Sequence, residues 1–90
     1  MPSRQITISN KLGLHARAAA KFVGVASNFP CQIRVGRSPE SQVDGKSIMA
    51  VMMLAAGKGT ELSVSAEGER AEEALDALVA LVDNKFDEGE

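Results

Sequence analysis

The one histidine of the chain, His15, falls in Asn10-Lys11-Leu12-Gly13-Leu14-His15-Ala16-Arg17-Ala18-Ala19-Ala20-Lys21, directly before an alanine-rich segment and two residues ahead of an arginine. The segment that follows reads as a helix. A helix N-terminus leaves backbone N–H groups without partners and carries about half a positive charge, so an anion held on His15 would meet donors already in place. An imidazole so placed is a nucleophile that could hold a phosphate. The same placement suits a histidine that only caps the helix or packs at the surface, and spacing does not choose between these roles.

Other chemistries find less support. No Ser, His and acid form a recognisable arrangement, no acid lies between His15 and the strand before it, and Cys31 has no histidine at a motif spacing. A small phosphate-ester hydrolase would also lack its general acid. With one cysteine and one histidine, an internal disulfide is impossible and a zinc site lacks ligands, so no metal and no cofactor is expected. Cys31 alternates with Ile33 and Val35, as a small inert side chain on the inner face of a strand would. Asp44-Gly45-Lys46-Ser47 ends like a nucleotide-binding phosphate loop, but Glu40 stands where that motif needs its first glycine. Nucleotide binding is therefore rejected, and Ser47 reads as the N-cap of a second helix.

The elements that must position these residues follow from periodicity. Arg4 to Ser9 alternates as a half-buried strand, with Ile6 and Ile8 inward, and Gly13 breaks the pattern before His15. Ala16 to about Asn28 is amphipathic, with Ala19, Phe22, Val23 and Ala26 on its apolar stripe, and Asn28-Phe29-Pro30 ends it. Cys31 to Gly36 forms a second strand, and Ser41 to Val43 a short third one before Asp44-Gly45. Ser47 opens a short, apolar helix from Ile48 to Ala56, with Gly57 as its stop. Such a helix cannot bury its whole circumference, so Met49, Met52 and Met53 are expected to divide between core and surface. Thr60 to Glu67 alternates as the clearest strand. Gly68 and the acids Glu69, Glu72 and Glu73 then open a long helix with the stripe Ala71, Leu75, Leu78, Val79 and Val82, with Lys85 near its end. The tail Asp87-Glu88-Gly89-Glu90 is expected to fray.

The order strand, helix, strand, strand, helix, strand, helix, with strands that alternate throughout, predicts an α+β fold. It is an open-faced β-sandwich of order βαββαβα, a four-stranded, mostly antiparallel sheet covered on one face by three helices. Ninety residues imply a single domain over 1–90, without repeats or linkers. No apolar run reaches the length of a membrane span, and Met1-Pro2-Ser3-Arg4 leads into a strand instead of a signal peptide, so no membrane insertion and a cytoplasmic location are expected. Charge is divided along the chain. Residues 1–60 hold eight bases and two acids, residues 61–90 two bases and ten acids. His15 lies in the basic part, whose field favours anions and acidic partner surfaces, while the acidic part reads as a solvated helix face. With no Trp or Tyr, and with Phe22, Phe29 and Phe86 at core positions, no stacking platform for nucleic acid is expected.

Gly13-Leu14-His15-Ala16-Arg17 and Lys46-Ser47-Ile48-Met49 resemble the two signatures of the histidine-containing phosphocarrier proteins, the HPr family, and the similarity runs over essentially the whole chain. The resemblance implies the phosphoenolpyruvate-dependent phosphotransferase system, in which enzyme I phosphorylates the carrier histidine and the carrier passes the group to a IIA-type acceptor. By that implication His15 takes the phosphoryl group on Nδ1, while Arg17 and the helix-start amides, that of Ala16 included, stabilise it. Physical reasoning agrees, since phosphoryl transfer is largely positioning and charge stabilisation. Ser47 matches the family's regulatory serine, the target of a serine kinase/phosphorylase in some lineages, and a dianion there would spoil docking through Ile48, Met49 and Met52. The implied protein is a monomeric, stoichiometric carrier and not an enzyme.

Two departures stand out. Ala18 occupies the place after the arginine where the family commonly has proline, which implies a less rigid first turn. Lys11-Leu12 and the ending Asn84-Lys85-Phe86-Asp87-Glu88 look more like the nitrogen-related branch than the sugar-uptake branch, a difference of partners and not of chemistry. The alternative is a protein-interaction or regulatory module of the same fold, in which His15 is never phosphorylated and the methionine surface binds a target.

Overall fold

Each strand of the sheet owes its place to alternation of apolar and polar side chains. The computed structural model describes residues 2–87 and contains β1 (Ser3–Thr7), α1 (Ala16–Ala26), β2 (Gln32–Gly36), β3 (Gln42–Asp44), α2 (Ile48–Met52), β4 (Glu61–Glu67), α3 (Ala71–Asp83) and a closing 3-10 turn (Lys85–Asp87). Met1 and the tail beyond Asp87, where fraying is expected, lie outside the described residues. The strands lie in the order β1-β4-β2-β3, and every neighbouring pair is antiparallel. Opposite partners share a face. Ile6 sits across from Leu62, and Val35 from both Val64 and Val43, so the inward residues form continuous apolar rows beneath the helices.

Those rows meet Ala18, Ala19, Phe22 and Ala26 of α1, Val51 of α2, and Ala71, Ala74, Leu75, Leu78, Leu81 and Val82 of α3 in one contiguous core. The other face of the sheet is polar: Ser3, Gln5, Thr7, Gln32, Arg34, Glu61 and Glu67 are exposed. There Gln42 accepts a hydrogen bond from Ser65 Oγ at 2.9 Å and donates one to the Ser63 carbonyl at 3.0 Å, tying β3 to β4 across β2. On the helix side, the Arg4 guanidinium bridges from β1 to Glu72 and Asp76 of α3. Its hydrogen bond and charge interaction with Glu72 hold it protonated beyond its ordinary range. Because the group is exposed, the bridge orients α3 more than it stabilises it.

The expected fold is present, and several boundaries need correction. α2 has five residues and stops at Met52, well short of Ala56, and the left-handed residue beyond it is Ala55, not Gly57. None of the three methionines joins the core: Met49 and Met53 are 76% and 80% exposed and Met52 is 41% exposed, because Val51 alone fills the buried side of so short a helix. In α3 the buried stripe takes in Ala74 and Leu81, while Val79 is only partly buried. α1 ends at Ala26, and Asn28 and Phe29 continue in tighter turns through bonds to Val25 and Ala26. Phe29 lies half-buried beneath the Arg70 guanidinium, 5.0 Å from the ring centre. The 3-10 turn has no counterpart in the periodicity. Lys85 and Phe86 both have positive φ there, Phe86 is fully buried, and Lys21 Nζ donates to its carbonyl at 2.7 Å.

Candidate functional site

The approach to His15 is fixed before the helix begins. Asn10 is fully buried; its side-chain amide donates to the Gly13 carbonyl at 2.8 Å, and the Gly13 N–H returns a bond to the Asn10 carbonyl at 3.2 Å. Gly13 has a φ of +72°, and a Cβ there would lie 2.6 Å from the Ala56 carbonyl oxygen and 2.8 Å from Gly57 Cα. Only glycine satisfies both the conformation and the close approach. The next N–H, that of buried Leu14, donates to the same Ala56 carbonyl at 2.8 Å. The loop entering the site is thus pinned to the connection between α2 and β4.

From that anchor the chain places His15 as the N-cap of α1, with φ −77° and ψ −179°. Its carbonyl accepts from the Ala19 N–H at 2.8 Å, the first bond of the helical ladder, and its Nδ1 accepts from the Arg17 N–H at 3.3 Å. Nδ1 therefore faces the helix amides with its lone pair, and in the neutral ring that hydrogen bond assigns the proton to Nε2. The ring is partly exposed, and Ala16 and Arg17 beside it are exposed. Ala18 is fully buried, and α1 begins at Ala16 with an alanine at that place. Positive charge collects in the segments that meet at the start of α1: Lys11 and Arg17 are exposed on the segment that holds His15, Lys58 is exposed on the connection to which Leu14 is bonded, and the two loop segments 8–15 and 54–60 contain no acid.

The second expected group lies on the neighbouring element. Ser47 caps α2, its Oγ accepting from the Ala50 N–H at 3.3 Å and its carbonyl from the Val51 N–H at 3.0 Å. The turn before it is held by Asp44 Oδ1, which accepts from the Lys46 N–H at 2.9 Å, while Lys46 Nζ donates to the Phe29 carbonyl at 2.7 Å. Ile48, Met49 and Met52 are all exposed. The structure thus gathers His15, Ala16 and Arg17 at one helix start and Ser47, Ile48, Met49 and Met52 on another, joined by the packing of α1 on α2. Periodicity missed Asn10 and Ala56, which set the loop, and Leu12, an apolar side chain 70% exposed three residues before the histidine. Asn10 and Gly13 are turn-forming residue types that could have marked the bend, but the fit of Gly13 against Ala56 is a tertiary contact.

Among the described residues no group of three or more His, Cys, Asp and Glu converges as a metal site would. No described helix is long and apolar enough to cross a membrane. The arrangement offers a nucleophilic nitrogen, a cation and backbone donors, which is what holding a phosphoryl group requires.

Comparison with known proteins points the same way. The family model described as the PTS HPr component phosphorylation site matches residues 2–84. The phosphocarrier protein HPr of Pseudomonas aeruginosa is 74% identical over 90 residues, all of both chains. The phosphocarrier protein NPr of Shewanella violacea is 46% identical over 85 residues, 94% of this chain and 92% of that one. Among solved structures, HPr of Thermoanaerobacter tengcongensis superposes with a TM-score of 0.91 at 48% identity, over 98% of each chain.

Proposed function

Because the chain belongs to the HPr family of phosphocarrier proteins of the phosphotransferase system, we propose that it carries a phosphoryl group on His15 Nδ1, taken from enzyme I and handed to a IIA-type acceptor. The observation that carries this reading is the hydrogen bond from the Arg17 N–H to His15 Nδ1. It aims the lone pair at the helix tip. In the transfer, the bond between phosphorus and the atom of the donor that carries it breaks, its electron pair staying with the donor, as a bond from phosphorus to Nδ1 forms, and the His15 proton stays on Nε2. The Arg17 N–H then exchanges an aromatic nitrogen for a phosphoryl oxygen, so the helix never loses a cap partner. The Ala16 amide and the Arg17 guanidinium supply further donors for the dianion.

The surrounding surface serves recognition. Ile48, Met49 and Met52, with Met53 beside them, offer flexible apolar contact area on α2, and Lys11, Arg17 and Lys58 attract acidic partner surfaces. A phosphate on Ser47 would stand at the edge of that apolar area and oppose docking. Relatives named for both HPr and NPr resemble the chain, so the acceptor is a IIA-type protein of either the sugar-uptake or the nitrogen-related branch. The protein acts as a monomeric single domain in the cytoplasm and as a stoichiometric carrier. Incubation with phosphoenolpyruvate and the matching enzyme I should add one acid-labile phosphoryl group by mass, and His15→Ala should acquire none. A wild-type mass left unchanged by a demonstrably active enzyme I would favour the purely regulatory module.

A further inference from the structure

We propose that Arg37 is a positioning residue for phosphoryl transfer, holding the connection between α2 and β4 in the strained shape that anchors the backbone before His15. The proposal rests on the reading of His15 as phosphoryl acceptor. Arg37 follows directly on β2, and its guanidinium Nη2 donates to the Leu54 carbonyl at 2.9 Å and to the Ala55 carbonyl at 3.3 Å. These carbonyls lie just past the end of α2, where the helical ladder no longer supplies donors. Ala55 has a φ of +50°, a left-handed conformation that a residue with a Cβ adopts only where its surroundings hold it. The carbonyl of the next residue, Ala56, receives the Leu14 N–H at 2.8 Å and lies against Gly13. The path from Arg37 to His15 is therefore two bonds to carbonyls, one strained residue, one anchoring carbonyl and Leu14. An arginine suits this place because a charged donor strengthens bonds to carbonyls and one nitrogen reaches both.

If the connection relaxed, Leu14 would lose its anchor and Nδ1 its fixed place at the start of α1. A charge that only attracted an acidic partner would act differently, through the concentration at which the carrier half-saturates enzyme I. Two variants separate the cases. Arg37→Met removes the clamp, and Arg37→Met combined with Ala55→Gly restores the left-handed turn by a residue that adopts it freely. In Arg37→Met, the Leu14 amide should exchange with solvent roughly 5- to 10-fold faster while core amides such as Leu75 and Val64 are unchanged. The saturating rate of transfer from phosphorylated enzyme I should fall by about the same factor, with little change in half-saturating concentration. The double variant should recover both to within about 2-fold of wild type. Unaltered Leu14 exchange in Arg37→Met would overturn the proposal, as would a raised half-saturating concentration that Ala55→Gly does not relieve. If the wild-type chain accepted no phosphoryl group at all, the functional reading would fall, and the amide exchange would still judge the clamp by itself.

Discussion

At His15 one atom has two possible uses, because the Nδ1 that accepts the Arg17 N–H is also a nucleophile placed where a helix N-terminus favours an anion. The aim of Nδ1 is set from elsewhere in the fold. That depends on Leu14 bonding to Ala56 and on the fit of Gly13 against the same carbonyl, contacts between distant parts of the chain that no spacing announces. Capping and nucleophilic roles of the imidazole can be separated by mutation. His15→Asn should retain a side-chain acceptor for the Arg17 N–H and stay within about 1 kcal/mol of wild type in urea unfolding, yet accept no phosphoryl group. On the proposed role of Arg17, Arg17→Ala removes a charged donor to the phosphoryl group but leaves the backbone amides. Its transfer rate from enzyme I should fall roughly 10- to 100-fold, as loss of a charge-assisted hydrogen bond implies, while its thermal midpoint stays near that of wild type.

At the scale of elements, the strands and the two long helices could be read because their faces repeat with the period of the structure. The end of α2 could not. Ile48 to Ala56 is a run of mostly good helix formers, so local preference extends the helix to Gly57, and tertiary bonds at Leu54, Ala55 and Ala56 stop it at Met52. The shortening leaves Met49, Met52 and Met53 in solvent and makes the apolar surface larger than periodicity predicts. Ser47 and the methionines should therefore respond differently to mutation. Ser47→Ala loses the cap of α2 and should cost about 1 kcal/mol in denaturant unfolding, whereas Ser47→Asp keeps an acceptor for the Ala50 N–H and adds a charge beside the exposed Ile48 and Met49 of the proposed docking face. Ser47→Asp should hold its stability and slow transfer from enzyme I. Met49→Glu, at an exposed position, should change unfolding free energy by less than about 0.5 kcal/mol and raise the half-saturating concentration for enzyme I several-fold.

Over the whole molecule, the division of charge suits the proposed carrier role. The bases of residues 1–60 include Lys11, Arg17 and Lys58 around the site, and the acids of the last third include Glu72, Glu73 and Asp76 along the exposed side of α3. An acidic partner should then be drawn to the tip of α1 and held away from α3, a long-range effect that salt screens. Raising ionic strength from about 10 mM to about 150 mM shortens the screening length from roughly 30 Å to roughly 8 Å, and association with enzyme I in stopped flow should slow several-fold while the saturating transfer rate holds. The sign of this division was plain in the sequence; the packing of α1 and α3 over one core shows where the two signs lie. Whether Nδ1 is the nitrogen that carries the phosphoryl group is decided by a nitrogen-15 NMR spectrum of the intact chain after phosphorylation by enzyme I and phosphoenolpyruvate. Phosphorus coupling at His15 Nδ1 and displaced amide signals for Ala16 and Arg17 are expected; coupling at Nε2, or unmoved amides at the start of α1, would rule out transfer to a nitrogen held by the helix tip.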